Sequence, residues 1–314
     1  MALAFLFPGQ GSQAVGMGVA LAERYERARA VFAEVDDALS QDLFALMRDG
    51  PEETLTLTEN AQPALMAVSA AVMAVLARDY GIEAGRAAWV AGHSLGEYSA
   101  LYAAGALSLA DTARLLKRRG QAMQKAVPVG HGAMASLIGP KSDLDLAEAA
   151  ARAGSEAGVC VVANDNNRGN VVISGSKAAV DRAIEAAKEM GARAIALNVS
   201  APFHCPLMQP AADAMAEALA SASIVAPHVP LVANVTARPV TDAETIRRLL
   251  VEQVTGRVRW RESVEWMAGE GGVTRFVEVG AGKVLAGMVK RIAPDAEALS
   301  LNTPEDIEAF AASL

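Results

Sequence analysis

The sequence predicts an α/β fold: a parallel-sheet core, with a second, smaller unit of strands and helices inserted into it. Three observations carry this prediction. From the N-terminus to about residue 127, short apolar runs alternate with Ala-rich stretches of helical composition, as when parallel strands are covered on both faces by helices. Between residues 128 and 199 the order changes to β-α-β-β-α-β, and the alternation then resumes. Hydrophobic residues make up 52% of the 314 positions but aromatics only 4%, so Ala, Val, Leu, Ile and Met must fill the core, which suits helices packed closely on a sheet.

The elements follow in order. Residues 3–7 form an apolar run stopped by Pro8-Gly9 and read as a buried strand. Residues 15–39 read as helical. Asn60-Ala-Gln-Pro63 opens the next helix, with proline near its first turn, and the helix reaches about Tyr80. Residues 87–91 read as a short strand and 97–104 as a helix. Ser108 caps a helix that has Asp111 in its first turn and runs to about Ala126. In the insertion, residues 131–138 are a strand and 141–153 a helix. Residues 159–163 and 170–173 are strands joined by a polar turn, 177–190 a helix and 192–199 a strand, which is a ferredoxin-like order. Beyond it come a helix over 207–221, a strand over 231–235, helices after Asp242 and Arg261, and a strand over 273–279. Gly280-Ala-Gly282 leads into a final helix from about Lys283. Residues 1–127 and 200–314 are therefore expected to form the large subdomain and 128–199 the small one.

A net charge of −8 argues against a general nucleic-acid binder, which needs a basic face. Two cysteines, Cys160 and Cys205, are too few for a disulfide framework and read as free thiols of a reducing compartment. The first eight residues lack the basic and long apolar regions of a signal peptide. The longest apolar run, residues 64–77, is shorter than the roughly 20 residues of a membrane span and reads as a buried helix. A soluble, cytoplasmic protein is expected.

Gly92-His-Ser94-Leu-Gly96 is the most informative stretch. It matches G-x-S-x-G between a strand and a helix, the arrangement of a nucleophile elbow. A serine there needs a base, and there are four histidines. His93 reads as packing in the turn; His131 and His228 read as loop or edge residues. His204 lies in a loop after a strand and before a helix, where active-site residues of α/β proteins concentrate, although a structural role suits it equally. An oxyanion hole needs backbone N–H groups. That of Leu95 opens the elbow helix, and Gly9-Gln10-Gly11, after the first strand, brings a second such as that of Gln10, or is a simple glycine turn. Arg119, in Lys117-Arg118-Arg119-Gly120, is either a solvated basic helix end complementing the helix dipole or a guanidinium fork for a substrate carboxylate.

Taken in order, the motifs resemble those of malonyl-CoA–acyl carrier protein transacylases of discrete, type II fatty acid synthesis. The matching pieces are Phe7-Pro-Gly-Gln-Gly-Ser-Gln13, Thr58-Glu-Asn-Ala-Gln-Pro63, Gly92-His-Ser-Leu-Gly-Glu97, Arg119-Gly120, Val172-Ile-Ser-Gly175, Pro202-Phe-His204, Glu252-Gln253 and Val277-Glu-Val-Gly-Ala-Gly-Lys283. The resemblance implies Ser94 as acyl-carrying nucleophile and His204 as its base. A carbonyl near Gln253 would orient the histidine in place of a triad carboxylate. Arg119 would pair with the malonate carboxylate, and the N–H groups of Gln10 and Leu95 would form the oxyanion hole. Gln62 would lie near the substrate pocket, and Phe203 suits relatives that prefer malonyl to methylmalonyl groups. Asn170 departs from the pattern, which has Gln there. Also implied are a hydrolase-like core with a ferredoxin-like insertion, a ping-pong malonyl transfer to the carrier's phosphopantetheine thiol, and malonyl-CoA and acyl carrier protein as partners. No nucleic acid, membrane, metal or cofactor is expected beyond the coenzyme A thioester as substrate, and the protein is expected to be a monomer.

Three other readings stay beside it. A plain serine hydrolase needs a carboxylate between nucleophile and histidine, and Asp111, Asp143, Asp145, Asp165 and Asp181 are all in range. Gly9-Gln-Gly11-Ser-Gln-Ala14 fits a dinucleotide fingerprint, but Glu34 and Asp36 fall in a helical stretch and not at the end of a second strand. A non-enzymatic interaction protein would not need the elbow.

Overall fold

The computed structural model describes residues 2–314; Met1, the first residue of the stretch judged not to be a signal peptide, lies outside them. Six strands form the main sheet: β1 (Ala2–Phe7), β2 (Trp89–Gly92), then, in chain order after the insertion, β7 (Leu231–Ala233), β8 (Arg238–Val240), β9 (Val273–Val279) and β10 (Glu297–Leu301). The intervening β3 (Gly132–Ile138), β4 (Cys160–Asn167), β5 (Asn170–Ser176) and β6 (Arg193–Ala196) form a separate sheet.

In the main sheet the order is β10-β9-β1-β2-β7-β8, parallel throughout except for β8, which turns back on β7. β1 lies at its centre, which is why Phe5, Leu6 and Phe7 are fully buried and the segment reads as an unbroken apolar run. Phe7 of β1 pairs with Gly92 of β2, so the loops that follow these two strands leave the sheet side by side at its carboxyl edge. The Thr58–Asp79 helix packs beneath that edge. It is long and apolar enough to cross a membrane, but nearly all of it is buried in the fold.

The second sheet is antiparallel, in the ferredoxin-like order β4-β5-β3-β6. Helices Leu144–Gly154 and Lys177–Glu189 share a core with it, in which Ala147, Ala150, Val180 and Ala183 meet Leu137, Val171 and Ile173. The seam with the main body is polar. Asp165 N donates to Val258 O at 3.0 Å, Val258 N donates to Ala163 O at 2.8 Å, and Arg261 clasps Asp165 at 2.7 Å.

Several elements differ from expectation. Residues 15–39 are two helices, Val19–Arg24 and Glu26–Leu39, because Tyr25 is extended between them. The Thr58 helix begins two residues before Asn60, so Pro63 sits in its second turn and forgoes a backbone bond there. Asn164 to Asn167 extend β4 and are not a turn: their side chains are buried, and Asp165 and Asn166 find Arg261 and His93 across the seam. After the Val284–Ile292 helix the chain adds β10 and a last helix, Pro304–Ala312, opened by a Thr303–Asp306 capping box. Cys160 and Cys205 are both buried free thiols.

Candidate active site

Between β2 and the Gly96–Ala103 helix, Ser94 has φ 53°, a left-handed backbone that a non-glycine residue adopts at a cost. The turn closes only because its flanks lack side chains. A Cβ on Gly92 would lie 1.9 Å from the Gly96 carbonyl, and one on Gly96 would lie 2.2 Å from the Phe7 carbonyl oxygen. Asn234, just past β7, grips both sides of the turn. Its Oδ1 accepts from Ser94 N at 2.8 Å and its Nδ2 donates to Gly92 O at 2.7 Å.

His204 also has a left-handed backbone, φ 56°, in the loop after β6. Its Nε2 lies 2.7 Å from Ser94 Oγ, and its Nδ1 lies 2.9 Å from the backbone carbonyl oxygen of Gln253. Gln253 is in the last turn of the Ala243–Thr255 helix, where carbonyls have no partner within the helix. A carbonyl only accepts, so Nδ1 carries the proton and Nε2 presents its lone pair to Ser94. Burial, reinforced by the nearby Arg119, pushes the imidazole down to about 3, so it is neutral at physiological pH. Among the described residues no carboxylate hydrogen-bonds to His204. Asp111 pairs with Arg114, Asp143 caps a helix, Asp165 pairs with Arg261 and Asp181 with Lys177. Asp145 lines a different cavity.

Arg119 is not at a solvated helix end. It sits mid-helix in Leu109–Ala126, only 1% exposed. Beside it, a Cβ on Gly120 would lie 2.5 Å from the Glu59 backbone, so the two helices approach closely enough for Arg119 to meet Gln62. Nη1 donates to Gln62 Oε1 at 2.8 Å; Nη2 donates to Gln253 Oε1 at 2.8 Å and Ser94 Oγ at 3.2 Å. Its Nε is buried without a partner, and the Tyr98 ring lies 5.8 Å from the guanidinium carbon. Burial lowers its pKa from the usual arginine value, but a guanidinium stays charged. Neighbouring Arg114 and Arg118 are also mid-helix, but they face solvent in exposed ion pairs with Asp111 and Glu217.

These groups face a cavity of about 310 Å³ between the two sheets' loops, also lined by Gln10, Leu95, Gln62 and Phe203. The backbone N–H groups of Gln10 and Leu95 have no hydrogen-bond partner among the described residues. His93 stays at the turn, with Nε2 2.8 Å from Asn166 Oδ1 and its ring edge-on to Trp260. Asn170 does not line the cavity; its Oδ1 accepts from Ser136 at 2.8 Å. Sequence reasoning missed Asn234 and Asn166, whose only signal is a polar residue beside an apolar strand. It also missed Met123, Met134 and Met288 in the cavity wall, which read as ordinary core. Among the described residues no cluster of three or more His, Cys, Asp or Glu side chains could hold a metal ion.

Residues 4–301 match the acyl transferase domain family. The malonyl CoA-acyl carrier protein transacylase of Escherichia coli (strain K12) is 48% identical over 308 residues, 98% of this chain and 97% of that protein. The crystal structure of an acyl-carrier-protein-S-malonyltransferase from Bartonella henselae is similar, with TM-score 0.96 and 54% identity over 100% of this chain and 99% of that one. A malonyl-transacylase solved in complex with its type II PKS acyl-carrier protein gives TM-score 0.96 at 42% identity, over 100% of both chains.

Proposed function

This chain belongs to the acyl transferase domain family, and on that premise we propose that it moves a malonyl group from coenzyme A to the phosphopantetheine thiol of an acyl carrier protein in fatty acid synthesis, through an ester on Ser94. The observation that carries this reading is the position of Arg119. Its Nη2 is 3.2 Å from Ser94 Oγ, so a carboxylate bound to the guanidinium is held next to the nucleophile. In malonate a single methylene separates the carboxylate from the reacting carbonyl, which suits so short a span.

The reaction is ping-pong. Ser94 Oγ attacks the thioester carbonyl while its proton passes to His204 Nε2. The N–H groups of Gln10 and Leu95 receive the oxyanion. Collapse of the intermediate breaks the C–S bond, and the departing thiolate takes the proton back from His204. The carrier's thiol then attacks the malonyl ester, giving its proton to His204, and Ser94 leaves as the alcohol. The Gln253 carbonyl stabilises the transient imidazolium and fixes its tautomer. Phe203 and Gln62 shape the acyl end of the pocket. The reaction as drawn uses no metal or redox group.

Arg119 supplies selectivity. Among the described residues its buried Nε–H has no partner and its other hydrogen bonds go to neutral groups, and malonate brings a carboxylate. An acetyl group leaves them unpaired, a penalty of about 1–3 kcal/mol. The carrier protein is expected to be acidic, so it needs a local basic surface on a chain of net charge −8. Lys283, Lys290 and Arg291 make no ion pair among the described residues; Lys283 precedes, and Lys290 and Arg291 end, the helix whose Val284, Leu285 and Met288 line the cavity.

Incubation with radiolabelled malonyl-CoA, followed by carrier protein, tests the reading. The wild-type protein should take up label and pass it on, and Ser94→Ala should take up none. Covalent label retained by that variant would reject Ser94 as the acyl carrier.

A further inference from the structure

Glu97 lies in the first turn of the Gly96–Ala103 helix, three residues past the nucleophile, and is 1% exposed. Among the described residues no cation forms a direct ion pair with it. Two neutral donors occupy its carboxylate: Oε1 accepts from Asn234 N at 3.3 Å and Oε2 accepts from Gln253 Nε2. An ionised carboxylate so placed is costly, and the mechanism above gives it no proton to move. Yet its two donors come from the residues that assemble the site. Asn234 grips both sides of the elbow through its amide. Gln253 holds His204 by its carbonyl, Arg119 by Oε1 and the Ser94 carbonyl by Nε2.

We infer that Glu97 is a positioning residue for malonyl transfer: its ionised carboxylate, accepting from Asn234 and Gln253 together, holds nucleophile, base and guanidinium in register. The inference rests on the proposed function for its readout. Both neighbours of Glu97 are donors. A protonated carboxyl, or an amide in its place, can satisfy only one of them and turns its own O–H or N–H on the other. Gln253 or Asn234 must then shift, and with it the groups it holds.

Ionisation of Glu97 is therefore linked to the loading step. Burial pushes its carboxyl up to about 7, against the opposing pull of Gln253, Asn234 and Arg119, so the proton is bound below that pH and lost above it. Burial moves the titratable groups around it away from neutral pH. His204 is pushed down to about 3, by burial first and then by Arg119. Burial lowers His93 as well and raises the Tyr98 phenol, while Arg119 stays cationic. Loading from malonyl-CoA also involves no attacking thiol. An acid limb near neutral pH in that step thus belongs to Glu97 and not to the catalytic base.

The test is the single-turnover rate of Ser94 malonylation from malonyl-CoA between about pH 5.5 and about pH 8.5. The wild-type rate should rise on the order of tenfold through the midpoint. Glu97→Gln should remain at the low, acid plateau throughout, with no limb. Glu97→Asp keeps an ionisable group and should show a limb at a displaced midpoint; it carries the test if Glu97→Gln does not fold. A flat profile in an active wild-type protein, a wild-type limb persisting in Glu97→Gln, or an unmoved midpoint in Glu97→Asp overturns the proposal. A wild-type protein that takes no malonyl label at any pH overturns the function beneath it, and the proposal falls with it.

Discussion

At the residue scale, Arg119 is a buried cation whose hydrogen-bond partners are the neutral groups of Gln62, Gln253 and Ser94. A cation with no carboxylate in direct contact in a desolvated site favours a substrate that brings one. Arg119→Ala removes that preference, so malonyl transfer should fall on the order of a hundredfold in kcat/KM while acetyl transfer is kept or rises. Competing malonyl- and acetyl-CoA assays check this, and an equal loss for both substrates would make Arg119 a packing residue. The role was only half legible in the sequence. Lys117, Arg118 and Arg119 look alike in composition, and only the close approach of two helices at Gly120 decides which of them turns inward. Ser94 was legible because its turn demands glycines on both sides. Asn234 was not, because its partners, Gly92 and Ser94, lie about 140 positions away in the chain.

At the scale of elements, the buried core strands and capped helices were legible and the polar strand was not. β1 is an unbroken apolar run, β9 carries Val273, Phe276, Val277 and Val279 among its polar residues, and the Leu109–Ala126 helix starts where Ser108 accepts from Asp111 N. The end of β4, Asn164 to Asn167, reads as a turn because polarity usually marks one. Those side chains are instead buried against partners that the sequence does not place, chiefly Arg261 on Asp165 and His93 on Asn166. The stretch ties the second sheet to the segment that follows Gln253. Asp165 is 1% and Arg261 18% exposed at the side chain, so Asp165→Ala leaves the guanidinium with only its exposed partner, Glu265. It should cost roughly 3 kcal/mol of stability and lower Tm by several degrees. Thermal unfolding checks this; a Tm within a degree or so of wild type would mean the seam is held by its backbone bonds alone.

At the scale of the whole molecule, a net charge of −8 must be reconciled with an acidic protein partner. Long-range repulsion would slow encounter unless the mouth of the cavity is locally basic. Much of the cationic charge elsewhere is spent on neighbours: Arg114, Lys117 and Arg118 pair with Asp111, Glu59 and Glu217. Lys290 and Arg291 end the Val284–Ile292 helix with no such pairing among the described residues, and that helix borders the cavity. Reversing both, Lys290→Glu with Arg291→Glu, should raise KM for the carrier protein roughly tenfold and flatten its dependence on salt. The KM for malonyl-CoA, whose phosphates are also anionic, is measured alongside it. Transfer assays at two ionic strengths separate the effects. If the carrier's KM and its salt dependence both match wild type, the docking surface lies on another face, and the steering charge must come from the second sheet.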